Sequence, residues 1–246
     1  RSPSRGLGDV YKRQKTKNEM IDCIVKEMEI RESEFSKKID SIYIGGGTPS
    51  LMTNLELETI FNGLEKKMSI DDIKEITIEI NPEDIISEKL EFYKEIGINR
   101  LSIGVQSMNN NILKWMNRSH DTNQVINGLN NTKIAGFENI NLDFIYGTPK
   151  NLSRDYKSEL LEILKFNPTH LSCYHLTIED GTYFGHLEKN KKIKRIEDDI
   201  SQQEFRWISE KLKSKNYQHY EISNFAVQGK ESFHNSNYWN QSSYIG

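Results

Sequence analysis

Arg100-Leu-Ser-Ile-Gly-Val-Gln106 is the stretch on which the fold turns. Side chains alternate across a strand, so Leu101, Ile103 and Val105 form one face and Ser102, Gly104 and Gln106 the other. Two further runs repeat the pattern. In Glu75–Ile80, Ile76, Ile78 and Ile80 oppose Thr77 and Glu79; in Asn139–Tyr146, Ile140, Leu142 and Phe144 oppose Asn141 and Asp143. An open doubly wound sheet is covered on both faces and reads as nearly continuous apolar runs. Here one face is apolar and the other polar and small. That predicts an α/β barrel, with apolar faces against outer helices and polar faces lining a lumen suited to a hydrophilic ligand.

Outward from these runs the rhythm continues. Strands are expected at Ser41–Gly45 and His170–Leu176 as well. Helices are expected at about Leu55–Met68, Ser87–Ile96, Thr122–Ala135 and Ser153–Phe166. A first helix covers about Lys17–Phe35, with Met20, Ile21, Ile24, Val25 and Met28 at helical spacing, and a later one covers Ile200–Lys215. Gly97 and Gly136 fall where left-handed caps belong, and Ser87 and Ser153 read as N-caps. Gly45, Glu79, Gln106, Asp143 and Tyr174 are separated by 34, 27, 37 and 31 residues, close to one βα unit each. Each therefore ends its own strand. In parallel βα barrels the site lies at the carboxyl ends of the strands, so Glu79, Gln106 and Asp143 should converge on one ligand.

Composition narrows the class. In 246 residues, 35% are hydrophobic and 28% charged, as in globular domains, and no apolar run reaches the length of a membrane span. With a net charge of −3, nothing points to bulk attraction for nucleic acid, and the chain reads as cytoplasmic. Cys23 and Cys173 are read as buried free thiols, not a disulfide. Residues 1–15 share no period with the rest of the chain and read as a foreign-looking or disordered leader. Residue 1 is Arg, and the last residues stop without a cap, so the chain reads as truncated at both ends. The divisions expected are a leader at 1–15, a barrel at 16–190 and the start of a further region at 191–246.

Strand Ser41–Gly45 runs into Gly45-Gly46-Gly47-Thr48-Pro49-Ser50. Glycines let backbone turn sharply and approach a ligand. No Lys-Ser/Thr pair follows, so this is not a Walker A loop, and it is not GxGxxG opening a helix. Alone it fits a tight βα turn equally well. Four segments taken together say more. Gly45–Ser50, Thr77-Ile-Glu-Ile-Asn-Pro82, Asn99–Ser107 and Asn141-Leu-Asp-Phe-Ile-Tyr-Gly147 with Pro149 stand in an order and spacing that resembles the coproporphyrinogen III oxidase-like radical S-adenosylmethionine (SAM) family. The resemblance covers roughly Lys17 to Gly246. It implies a partial (βα)6 TIM-like barrel, here without the family's first strand and cluster loop. By resemblance Gly46, Gly47 and Thr48 cradle the amino end of SAM, Glu79, Gln106 and Asp143 make further contacts, and Arg118 meets the SAM carboxylate. Such groups suit an ammonium, ribose hydroxyls and a carboxylate.

The family holds a 4Fe–4S cluster through a CxxxCxxC loop, and neither Cys23 nor Cys173 replaces three closely spaced thiolates. The chain as written is therefore expected to lack the cluster and to be inactive in SAM cleavage. Two branches of the family differ in class, one porphyrinogen-oxidising and the other a haem chaperone that passes haem to an acceptor protein. His234-Asn235-Ser-Asn-Tyr238-Trp239 and Leu176-Thr-Ile-Glu-Asp-Gly-Thr182 resemble the chaperone branch. In that reading His234 contacts haem, with Tyr238 and Trp239 packing on the macrocycle. The alternative is structural: His234 and Asn235 cap a turn and Trp239 sits in the core. His120 reads as a neighbour of the SAM pocket, while His170, His186 and His219 read as solvated. Lys189–Arg195, followed by Glu197, Asp198 and Asp199, reads as a solvated loop.

Overall fold

The structure is a computed structural model that describes residues 7–36 and 38–246. Residues 1–6, part of the expected leader, lie outside the described residues. Helix α1 spans Leu7–Ile30, beginning ten residues before the expected start, and a 3-10 turn follows at Glu32–Ser36. Strands β1 (Ser41–Ile44), β2 (Glu75–Ile80), β3 (Arg100–Gln106), β4 (Asn139–Tyr146) and β5 (His170–His175) then alternate with helices. Those helices are α2 (Asn54–Glu65), α3 (Ser87–Glu95), α4 (Asn110–Trp115), α5 (Thr122–Ile134) and α6 (Tyr156–Leu164). After β5 come α7 (Tyr183–Lys189), α8 (Asp198–Lys213), β6 (Tyr217–His219), β7 (Asn224–Val227) and α9 (Phe233–Trp239).

The strands form one sheet in the order β1-β2-β3-β4-β5-β7-β6. The first five run parallel, whereas β7 pairs antiparallel with both β5 and β6. Strands β1 and β6 are the two edges, so the barrel is partial. The expected alternation decides the core. Ile76, Ile78, Leu101, Ile103, Val105, Leu142 and Phe144 are all buried, packed with Leu57, Leu90, Val125, Leu160 and Ile163 of the surrounding helices. Each such side chain contributes about 1.5–3 kcal/mol when removed from water.

Local chemistry sets the helix starts. Thr53 with Glu56, and Asp121 with Gln124, form reciprocal capping boxes on α2 and α5. The expected Ser153 cap is corrected: Asp155 caps α6, and Ser153 sits in a left-handed conformation closing the preceding turn. Ser87 is the first helical residue of α3, behind Ile86, not its cap. Gly97 and Gly136 take positive φ as expected. Among the described residues no helix is long and apolar enough to cross a membrane. Cys173 is buried, but Cys23 is exposed on α1, because it falls beside the Ile21 stripe and not within it.

Candidate functional site

Parity of position brings the polar strand residues to one side. Register places Tyr43 of β1 beside Thr77, Glu79 beside Ser102, Ser102 beside Asn141, and Asp143 beside Ser172. At the carboxyl end of β2, Glu79 accepts hydrogen bonds from the Tyr43 hydroxyl (2.8 Å) and the Gly46 amide (3.1 Å). The Gly-rich loop is thus tied to the second strand. Gly46 and Gly47 both have positive φ, and a Cβ at either would meet nothing within 4 Å, so the loop backbone faces open space. Gly45 differs: a Cβ there would lie 2.5 Å from the Tyr43 ring and 3.0 Å from Glu79 Oε1. Gln106 ends β3 with φ 65°, and its amide folds back beside Gly104. Arg118 is exposed beyond α4, within electrostatic reach of Asp143 and Glu83.

Asp143 accepts from Asn141 Nδ2 at 2.8 Å. Burial, reinforced by the Glu79 charge, pushes its carboxyl up to about 6 despite hydrogen bonds from Asn141 and Ser172. The Asn141 carbonyl accepts from Ser172 Oγ (3.1 Å) and lies 2.6 Å from His170 Nδ1. His170 Nε2 is 2.7 Å from the Tyr220 hydroxyl, which accepts from the Ser232 amide. Burial drives the His170 pKa well below its usual value. A neutral ring with Nδ1 donating to Asn141 and Nε2 accepting from Tyr220 satisfies every partner. His170 is therefore not solvated as expected but fully buried, since its position faces the lumen and β7 and Tyr220 close over it. His120 is buried between Glu83 (3.2 Å) and the Val105 carbonyl (3.2 Å), behind the end of β3.

At the open edge, α9 lies against β1. The His234 ring stacks on Tyr43 with centroids 4.6 Å apart and meets Tyr238 edge-on at 5.1 Å. Burial, opposed by Glu75, lowers its pKa. A cavity of about 660 Å³ opens here, lined by Tyr43, His234, Ile24, Met28, Leu64 and Met68 among others. Ser232, not His234 or Asn235, caps α9. Trp239 is 56% exposed, so it is not in the core, because α9 presents that side outward. Tyr43, which sequence reading passed over, touches both Glu79 and His234. Its aromatic type within a strand carried no signal of either contact.

The donor set fits SAM: open glycine backbone, two carboxylates, an amide and one arginine at the rim. It does not fit an iron–sulfur cluster. Cys23 lies on the outer side of α1, the Cys173 thiol is raised by burial beyond easy ionisation, and no group of three metal-binding side chains occurs among the described residues.

Residues 12–166 match the radical SAM superfamily. The chain belongs to that superfamily. Within it, the chain is 34% identical over 226 residues to the heme chaperone HemW of Lactococcus lactis, covering 92% of this chain and 59% of that protein. It is 37% identical over 236 residues to HemW of Buchnera aphidicola from Schizaphis graminum, covering 93% and 60%. The chain thus spans about 60% of the length of these relatives. Among solved structures it resembles coproporphyrinogen III oxidase (HemN) from Escherichia coli, with a TM-score of 0.76 and 25% identity, over 89% of this chain and 50% of that one. The unclosed sheet is consistent with the partial barrel that the resemblance implied.

Proposed function

We propose that the chain is the SAM-binding barrel of a HemW-like protein that binds SAM and haem and delivers haem to an acceptor protein. The carrying observation is His234. Its imidazole is held neutral by burial, stacked on Tyr43, and borders a cavity of about 660 Å³ whose lining mixes apolar side chains such as Ile24, Met28 and Leu64 with charged ones such as Glu27 and Lys38. A neutral imidazole offers the lone pair that haem iron takes as an axial ligand. Cavities of roughly 300–1,000 Å³ accept ligands of cofactor size. Tyr238 lines it with a half-exposed aromatic face suited to a macrocycle, and exposed Trp239 is the next residue of α9.

In the same reading, Gly46, Gly47 and Thr48 hold the amino end of SAM, with Glu79, Gln106 and Asp143 around its polar groups and Arg118 on its carboxylate. SAM bound there supplies a sulfonium whose charge favours neighbouring carboxylates. Tyr43 keeps Glu79 oriented toward the Gly46 amide. Residues 16–190 form the barrel, and 191–246 begin the HemW-like C-terminal region, in a cytoplasmic protein. The second reading, an oxygen-independent coproporphyrinogen III oxidase, draws on the fold shared with HemN.

With the family's CxxxCxxC loop joined to the amino end so that a cluster can form, haem titration of that protein and its His234→Ala variant, beside an anaerobic coproporphyrinogen III turnover assay, separates the two. The chaperone reading expects haem affinity to fall at least tenfold in the variant, with no turnover. Turnover, with haem affinity untouched by the substitution, supports the enzyme instead.

A further inference from the structure

Glu75 opens β2 at the end of the strand opposite Glu79, on the same lumen face, and is only 2% exposed. Its carboxylate takes its hydrogen bonds from a segment nearly 160 residues away. Oε1 accepts from Ser232 Oγ (3.0 Å) and the His234 amide (3.1 Å), and Oε2 accepts from the Phe233 amide (3.0 Å). The two amides are donors of the first turn of α9 that the helix itself leaves unpaired, and the hydroxyl is that of its N-cap. Arg100 stands behind, its Nε 3.8 Å from Oε2 and its side chain equally buried. A buried carboxylate flanked by a cation and given three donors meets the requirement for an interior charge.

We propose that Glu75 is the positioning residue for His234: it pins the backbone of the residue that, in the reading above, ligates haem. The inference rests on that reading. The other fastenings of α9 are weaker. Asn237 Nδ2 reaches Ser41 Oγ at 3.4 Å, and exposed Trp239 reaches Glu221 at 3.3 Å. Both are longer and more solvated than the Glu75 set, and charge-assisted bonds are roughly twice as strong as neutral ones. The stack of Tyr43 on His234 fixes the ring plane, and the Glu75 bonds fix the main chain beneath it, with the longer bond from the Ser232 amide to the Tyr220 hydroxyl (3.3 Å) beside them.

The test uses Glu75→Gln, which keeps the side-chain length but removes the charge and one acceptor. Thr77→Val is the control, a buried neighbour on the same face whose hydroxyl has no partner. Amide hydrogen exchange at Phe233 and His234 reads the anchor directly, without haem. Haem titration with the low-spin imidazole spectrum reads its consequence. Exchange should accelerate and haem affinity fall by about tenfold, the worth of one charged hydrogen bond, while Thr77→Val leaves both unchanged. Unchanged exchange at those two amides overturns the anchor whether or not haem binds. Faster exchange with haem affinity and spectrum intact, while His234→Ala abolishes them, overturns the positioning role alone. If His234→Ala binds haem as the wild type does, the haem reading fails, and the positioning role with it.

Discussion

Asp143→Asn should make the unliganded protein more stable at neutral pH, and the size of the gain follows from the lumen. Burial and the Glu79 charge raise the Asp143 carboxyl from 3.8 to about 6. One pKa unit corresponds to about 1.4 kcal/mol, so ionised Asp143 costs the fold at most roughly 3 kcal/mol. The side chain keeps partial exposure toward the lumen, and solvent there reduces the cost, so this is an upper bound. The folded pKa lies above the unfolded one, so the native state holds this proton more tightly. Stability from that proton is complete below about pH 3.8, declines between 3.8 and about 6, and is gone above. Asparagine keeps an oxygen to accept from Asn141 and never ionises. Urea unfolding of both proteins between pH 4 and 8 therefore gives curves that nearly coincide at pH 4. They separate by about 1–3 kcal/mol at pH 7, the variant being the more stable. The variant should also bind SAM at least tenfold more weakly, since a charge kept at a cost to folding is kept for a cationic ligand. A stability difference independent of pH would refute the argument.

Two further perturbations test the scaffold. Gly45→Ala places a Cβ against the Tyr43 ring and Glu79; displacement of Tyr43 should cost about 1–3 kcal/mol in thermal or urea unfolding and weaken SAM binding by calorimetry. Glu159→Gln breaks a buried pair in which Glu159 receives Arg154 Nε (2.7 Å), Arg154 Nη2 (2.9 Å), the Met108 amide (2.9 Å) and the Ser107 hydroxyl. Leaving Arg154 without its carboxylate should cost about 3–5 kcal/mol in urea unfolding, and a value under 1 kcal/mol means the clamp is solvated.

Much of this protein is written in short-range patterns. Alternation in Glu75–Ile80, Arg100–Gln106 and Asn139–Tyr146 places these strands to the residue, because a strand with one face against helices cannot shift register without turning its polar set from the lumen into the apolar layer under the helices. The same parity puts Glu79 and Asp143 in electrostatic contact across the lumen. The Gly46-Gly47 turn is legible because L-residues resist its positive φ. Other features depend on which distant segments meet, and no local pattern records that. Glu75 and Ser232–His234 are nearly 160 residues apart, and Tyr43 and His234 nearly 200, yet each pair is in contact. His170 looks polar in its own neighbourhood and is buried because β7 returns antiparallel beside it and the turn between β6 and β7 carries Tyr220 over it. The antiparallel end of the sheet escaped for a related reason: β6 and β7, with three and four residues, are too short to show a period. Strand direction and helix faces follow from forces between near neighbours in the chain. The cavity beside His234 follows from loop closures whose entropic cost only the assembled core repays.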